Sequence, residues 1–142
     1  MKYIKTYEDI NPNKRLDELK KLLNHLVEMF NELGYDNERN YDDYQYVNLF
    51  WNANKQRSFN LNGEFSNSLI FLDVGMRVGY TRDNLAKFIP NYLKTINGLV
   101  LCSESPQFFT TTFQVVDNVD NIIDQISVED FKLKMEREKY NI

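Results

Sequence analysis

The segment DVGMRVGYTR, residues 73–82, places Asp73 and Arg77 on either side of Gly75, with Gly79 two residues on and Arg82 three beyond that. In an extended chain alternate side chains share a face, so Asp73, Gly75, Arg77 and Gly79 would line one surface. A missing side chain between opposite charges leaves a flat floor on which a planar group can approach the backbone. Arg82, in the first turn of a following helix, would add a guanidinium to free N–H groups that favour anions. The chemistry this suggests is capture of a nucleotide-like ligand by Asp73, Gly75, Arg77 and Arg82. The competing reading is structural: Gly75 and Gly79 mark bulges or lie beneath a covering side chain, and Asp73 and Arg77 pair across strands.

A second candidate is YDDYQYVNLFW, residues 41–51. Tyrosine combines apolar area with a polar tip at low entropic cost, so Tyr41, Tyr44 and Tyr46 beside Asp42 and Asp43 suit a protein-contact patch. The alternative is that Tyr46 covers the sheet and the other two line a loop.

Other reactive groups do not assemble into a recognisable site. His25, the one histidine, falls on the polar side of a helical wheel near Glu28, where a solvated side chain is expected. Cys102 ends an apolar run and reads as an inert buried thiol. Asp36, Glu38, Asn40 and Asp42 begin like a calcium loop, but Tyr41 stands where glycine belongs and Val47 where a bidentate glutamate belongs. Asp117, Asp120 and Asp124 have helical spacing and read as a solvated helix start. Neither a dinucleotide fingerprint nor a Walker pattern nor a nucleophile elbow occurs. No metal site or cofactor is expected.

The elements that must position these residues follow from periodicity. Leu16, Leu19, Leu22, Leu23, Leu26, Phe30 and Leu33 predict a helix over about 14–33, opened near Asn11 or Asn13 and stopped by Gly34. Alternation predicts strands within 45–80: one from Gln45, a second over 57–61 turning at Asn62-Gly63, and a third from Ser68 to Tyr80. A helix over about 82–97 would be kinked at Pro90. LVLC, 99–102, reads as a short buried strand and 109–116 as another. Asp117 or Asn118 opens a helix over about 118–126, and Ser127 with Asp130 forms a capping box for a last helix over about 128–140. The order predicts an α+β domain spanning 1–142, with a mainly antiparallel or mixed sheet of about five strands and helices on one face.

Composition sets the remaining bounds. The chain has 142 residues, 42% apolar and 27% charged, ordinary values for one folded domain. Its eighteen asparagines against two alanines are the amino-acid signature of a low-GC genome. One cysteine excludes an internal disulfide, and the N-terminus lacks the apolar run of a signal peptide, so a cytoplasmic protein is expected. No window approaches a membrane span. Net charge is −4, and 104–131 holds Glu104, Asp117, Asp120, Asp124, Glu129 and Asp130 without a Lys or Arg, which disfavours direct nucleic-acid binding.

The opening MKYIKTYE resembles the start of small accessory proteins of tailed phages with low-GC genomes. That resemblance covers eight residues and implies context only: a phage protein in the host cytosol. The expectation is a non-enzymatic protein that neutralises a host defence factor by stoichiometric binding. It would either sequester a nucleotide-like signal or mask a basic host-protein surface with its acids at 36–43 and 117–130. The alternatives are a small carboxylate-dependent hydrolase or transferase, and a virion structural or assembly protein. A homo-oligomer fits either binding mode.

Overall fold

The computed structural model describes residues 12–40, 43–51, 56–66, 69–76, 88–105 and 110–140. They form an α+β fold: helix α1 (Pro12–Glu32), strands β1 (Tyr35–Asn40), β2 (Asp43–Trp51), β3 (Gln56–Ser66) and β4 (Leu69–Met76), helix α2 (Ile89–Lys94), strands β5 (Leu99–Ser105) and β6 (Thr110–Val115), and helices α3 (Val119–Ile123) and α4 (Val128–Tyr140). The sheet is antiparallel throughout, with six strands in the order β1-β2-β3-β4-β6-β5, one more than expected. The first four strands form a meander. The chain then passes through α2, and β6 fills the place between β4 and the edge strand β5.

Helix α1 forms because its apolar residues recur with the helical period. Leu19, Leu22, Leu23, Leu26 and Phe30 are buried as the periodicity demands, and Val27 and Met29 widen the stripe. Pro12 opens the helix, where its missing N–H costs nothing, and Gly34 at φ 105 ends it in a conformation that side chains disfavour. The buried face meets Val47, Leu49, Phe59, Leu61, Ile70, Leu72, Val74, Phe113 and Val115 from the sheet, within one continuous hydrophobic cluster. Phe30, Tyr35 and Phe59 pack edge to face with centroids 5.0–6.1 Å apart, each contact adding roughly 0.5–1.5 kcal/mol beyond burial.

Several sequence expectations change. Asn62-Gly63 is no hairpin turn: β3 runs straight through it, with Asn62 paired to Tyr46 on β2 and to Asp73 on β4. Glycine is there because α1 approaches closely; a Cβ at Gly63 would stand 2.7 Å from Leu19 Cδ1. Residues 36–40, to which periodicity assigns no element, are a strand held by β2 along one side although their own sequence has no apolar alternation.

The helix expected over 82–97 ends at Lys94, and residues 82–87 lie outside those described. Pro90 sits in its first turn, where no N–H is required, rather than at a kink. LVLC belongs to an edge strand whose only buried residue is Leu99; Val100, Leu101 and Cys102 are exposed, and Cys102 sits at a register shift.

His25 also departs from expectation. It is half-buried, and its Nε2–H donates to the Ile126 carbonyl at 2.8 Å, tying α1 to the turn before α4. Asn118 caps α3 by accepting from the Asp120 N–H at 2.9 Å, and Ser127 Oγ accepts from the Asp130 N–H at 3.0 Å, as the capping pattern requires. Among the described residues no helix is long and apolar enough to cross a membrane.

Candidate binding site on the helix-free sheet face

Strand alternation that sends Val47, Leu49, Phe59, Leu61, Leu72 and Phe113 into the core sends their neighbours to the other face. Register brings these neighbours into rows. One runs Asn48, Asn60, Gly75, Thr110 and Ser105, and the next Tyr46, Asn62, Asp73, Thr112 and Ser103. A third holds Glu64, Phe71, Gln114 and Val100. Tyr46, Asn48, Asn60, Asn62, Asp73, Thr112 and Gln114 are all half-buried. No described helix packs over this face, and its centre is a carpet of amides, hydroxyls and one carboxylate.

The expected ligand residues divide here. Asp73 and Gly75 do share this face, near its centre. The space above Gly75 is not an open floor, because the Asn60 carboxamide lies across it and a Cβ would meet Asn60 Oδ1 at 2.2 Å. Gly75 is thus the residue that admits a covering side chain. Arg77 and Arg82 lie outside the described residues, so the anion-binding half of that expectation has no structural description.

Of the contact patch, Tyr46 joins the same face beside Asn62. Asp43 and Tyr44 contribute backbone to β2, but their side chains, with Tyr41 and Asp42, fall outside the described residues.

Asn48, Asn60, Asn62 and Thr112 were not singled out from the sequence. Their signal was present in SFNLNGEF, where Phe59, Leu61, Gly63 and Phe65 alternate with Asn60, Asn62 and Glu64. Reading Asn62-Gly63 as a turn broke that alternation in two.

Electrostatics give the face a sign. The charged side chains described on this face are acidic, namely Asp73 at the centre, Glu64 on β3, and Asp36 and Glu38 on β1, while Arg57 of β3 is paired with Phe50 in the row of Asp36. Asn48 Oδ1 is buried without a hydrogen-bond partner among the described residues. Such an acceptor costs about 1–3 kcal/mol until a donor reaches it. Around that buried acceptor the face offers the Asp73 carboxylate beside amides and hydroxyls that both donate and accept, in a half-dry setting that strengthens each hydrogen bond.

The acidic segment 117–130 is different, because three of its acids, Asp117, Asp120 and Asp130, are engaged within the molecule. Asp117 Oδ1 accepts from the Asn118 N–H at 2.7 Å, Asp120 pairs with Lys21, and Asp130 Oδ2 takes both the Tyr92 hydroxyl at 2.9 Å and Lys134 Nζ at 3.1 Å. Glu104 likewise pairs with Lys94. Among the described residues no group of three or more His, Cys, Asp or Glu is arranged to hold a metal ion.

Comparison with known proteins finds no matching family model, curated protein or solved structure.

Proposed function

We propose that the protein is a non-catalytic binding protein that neutralises a host factor by stoichiometric capture, in the manner of a phage accessory protein, and that it captures through the helix-free face of its sheet. The preferred ligand is a nucleotide-like signal whose base lies on this face. The observation that carries this reading is the row Tyr46, Asn62, Asp73 and Thr112 beside Asn48 and Asn60. A nucleobase presents N–H donors at its edge and a flat apolar face. The Asp73 carboxylate and the Asn60 and Asn62 carboxamides suit the donors, and the Tyr46 and Phe71 rings suit the flat face. Arg77 and Arg82 remain the residues proposed to meet the phosphate.

One observation favours a second reading, in which the face masks a basic protein surface: acids outnumber bases on it, with Asp36, Glu38, Glu64 and Asp73 against Arg57. Such a complex forms by charge attraction across partly exposed groups, so its affinity should fall steeply between low and physiological salt. Capture of a ligand by hydrogen bonds and stacking on the half-buried centre should change far less.

Native mass spectrometry of freshly purified protein against its denatured mass tests the preferred reading. A mass excess released on denaturation identifies the captured molecule and its stoichiometry. A ligand-free mass, together with no saturable response to added mono-, di- or cyclic nucleotides, contradicts it.

A further inference from the structure

Away from the sheet face, α2 and α4 diverge to form a cleft of about 280 Å³. Its floor is apolar and aromatic: Phe88, Tyr92, Phe131 and Met135, with Tyr92 and Phe131 edge to face at 5.0 Å. The floor is held rigidly, since the Tyr92 hydroxyl donates to Asp130 at 2.9 Å and Lys134 Nζ lies 5.4 Å from the centre of the Tyr92 ring. A cleft of this size is at the lower end of small-molecule sites, which run from roughly 300 to 1,000 Å³. It fits one or two fused rings rather than a large cofactor.

The charged groups lining the cleft differ in how they are engaged. Lys134 is compensated by Asp130 at 3.1 Å and donates to Thr95 Oγ1 at 2.9 Å. Glu138, the acid among the lining residues, accepts from Asn91 Nδ2 at 2.6 Å and keeps its negative charge. Arg137 also lines the cleft, and none of the described ion pairs includes it. A planar guanidinium lining an aromatic cleft suits a flat apolar body carrying a carboxylate, which it can bind through two parallel hydrogen bonds.

We propose that the cleft between α2 and α4 is a binding site for an aromatic carboxylate of one or two fused rings, independent of the sheet face. The floor takes the rings, Met135 adds a polarisable contact, and Arg137 takes the carboxylate.

The test uses 2-naphthoate and its neutral counterpart 2-naphthamide, followed through the methyl resonance of Met135 in the full chain. The expected result is a saturable shift with 2-naphthoate at one equivalent. Arg137→Ala should weaken it about tenfold, as loss of one charge-assisted contact implies, and the amide should bind the wild type about tenfold more weakly. Arg137 is exposed, so this substitution leaves folding intact. As a second variant, Met135→Ala, which removes that methyl group and is therefore followed by isothermal titration calorimetry beside the wild type, should reduce affinity for both compounds alike. The proposal is overturned if no saturable shift occurs at millimolar 2-naphthoate. It is equally overturned if Arg137→Ala binds as the wild type does, or if acid and amide bind equally.

Discussion

The two faces of the sheet are built from the same strands and differ in almost every physical respect. On one, nine strand residues from Val47 to Val115 are no more than 2% exposed, closed under α1 and its neighbours. On the other, the alternate positions are Asn48, Asn60, Asn62, Asp73, Thr112 and Gln114, half-buried and uncovered by any described helix. A strand that needed only to fold could place almost any polar residue outward, with Lys and Glu the usual choices for solubility. Short amides and hydroxyls, which lose little conformational entropy when a partner arrives, are better suited to binding than to solvation. The covered face therefore accounts for stability, and the uncovered face is the one proposed for recognition.

Substitutions that separate these roles should differ in size. The largest effect is expected at Phe59, fully buried between Phe30 and Tyr35; Phe59→Ala should lower the unfolding free energy by about 3–5 kcal/mol in urea titration. Next is Gly63→Ala, whose new methyl must displace Leu19 at the closest approach of α1 to the sheet. A loss of about 1–3 kcal/mol is expected, and Leu19→Val in the same chain should recover part of it, which a double-mutant cycle would show.

A smaller effect should appear at high pH. Burial and the Asp130 carboxylate it donates to hold the Tyr92 hydroxyl well above the usual phenol value. Below pH about 10 both folded and unfolded chains keep this proton and the stabilisation is complete. Above it the unfolded chain releases the proton first, so stability should fall as pH rises, and Tyr92→Phe should flatten that part of the curve. The substitution itself should cost roughly 0.5–1.5 kcal/mol near neutrality, read by the same urea titration.

How much of this was legible beforehand depended on whether an element carried its own pattern. Helix α1 did, because its stripe, its opening proline and its terminal glycine agree. Strand β4 did over its described length, Leu69–Met76, where Ile70, Leu72 and Val74 are buried as alternation requires.

Strand β1 did not, since YDNERN becomes a strand only through its neighbour β2, and pairing of that kind leaves no local trace. The Asn62-Gly63 pair misled for a related reason. A strong local turn signal was overridden by a tertiary demand, the room α1 needs above Gly63. Of the candidate site, Asp73, Gly75 and Tyr46 were found from their own types and spacing. The asparagines that surround them were hidden by that mistaken turn, and Arg77 and Arg82 lie outside the described residues.

The division of labour between the faces is tested most directly by one paired measurement on Asp73→Leu: unfolding free energy in urea, and ligand retained in native mass spectrometry, both against wild type. The account predicts stability within about 0.5 kcal/mol of wild type, as for an uncovered strand position, together with loss of the captured mass. Retention of the ligand at wild-type stoichiometry would contradict it, as would a loss of several kcal/mol in stability, because Asp73 would then belong to the folding of the sheet rather than to recognition on its surface.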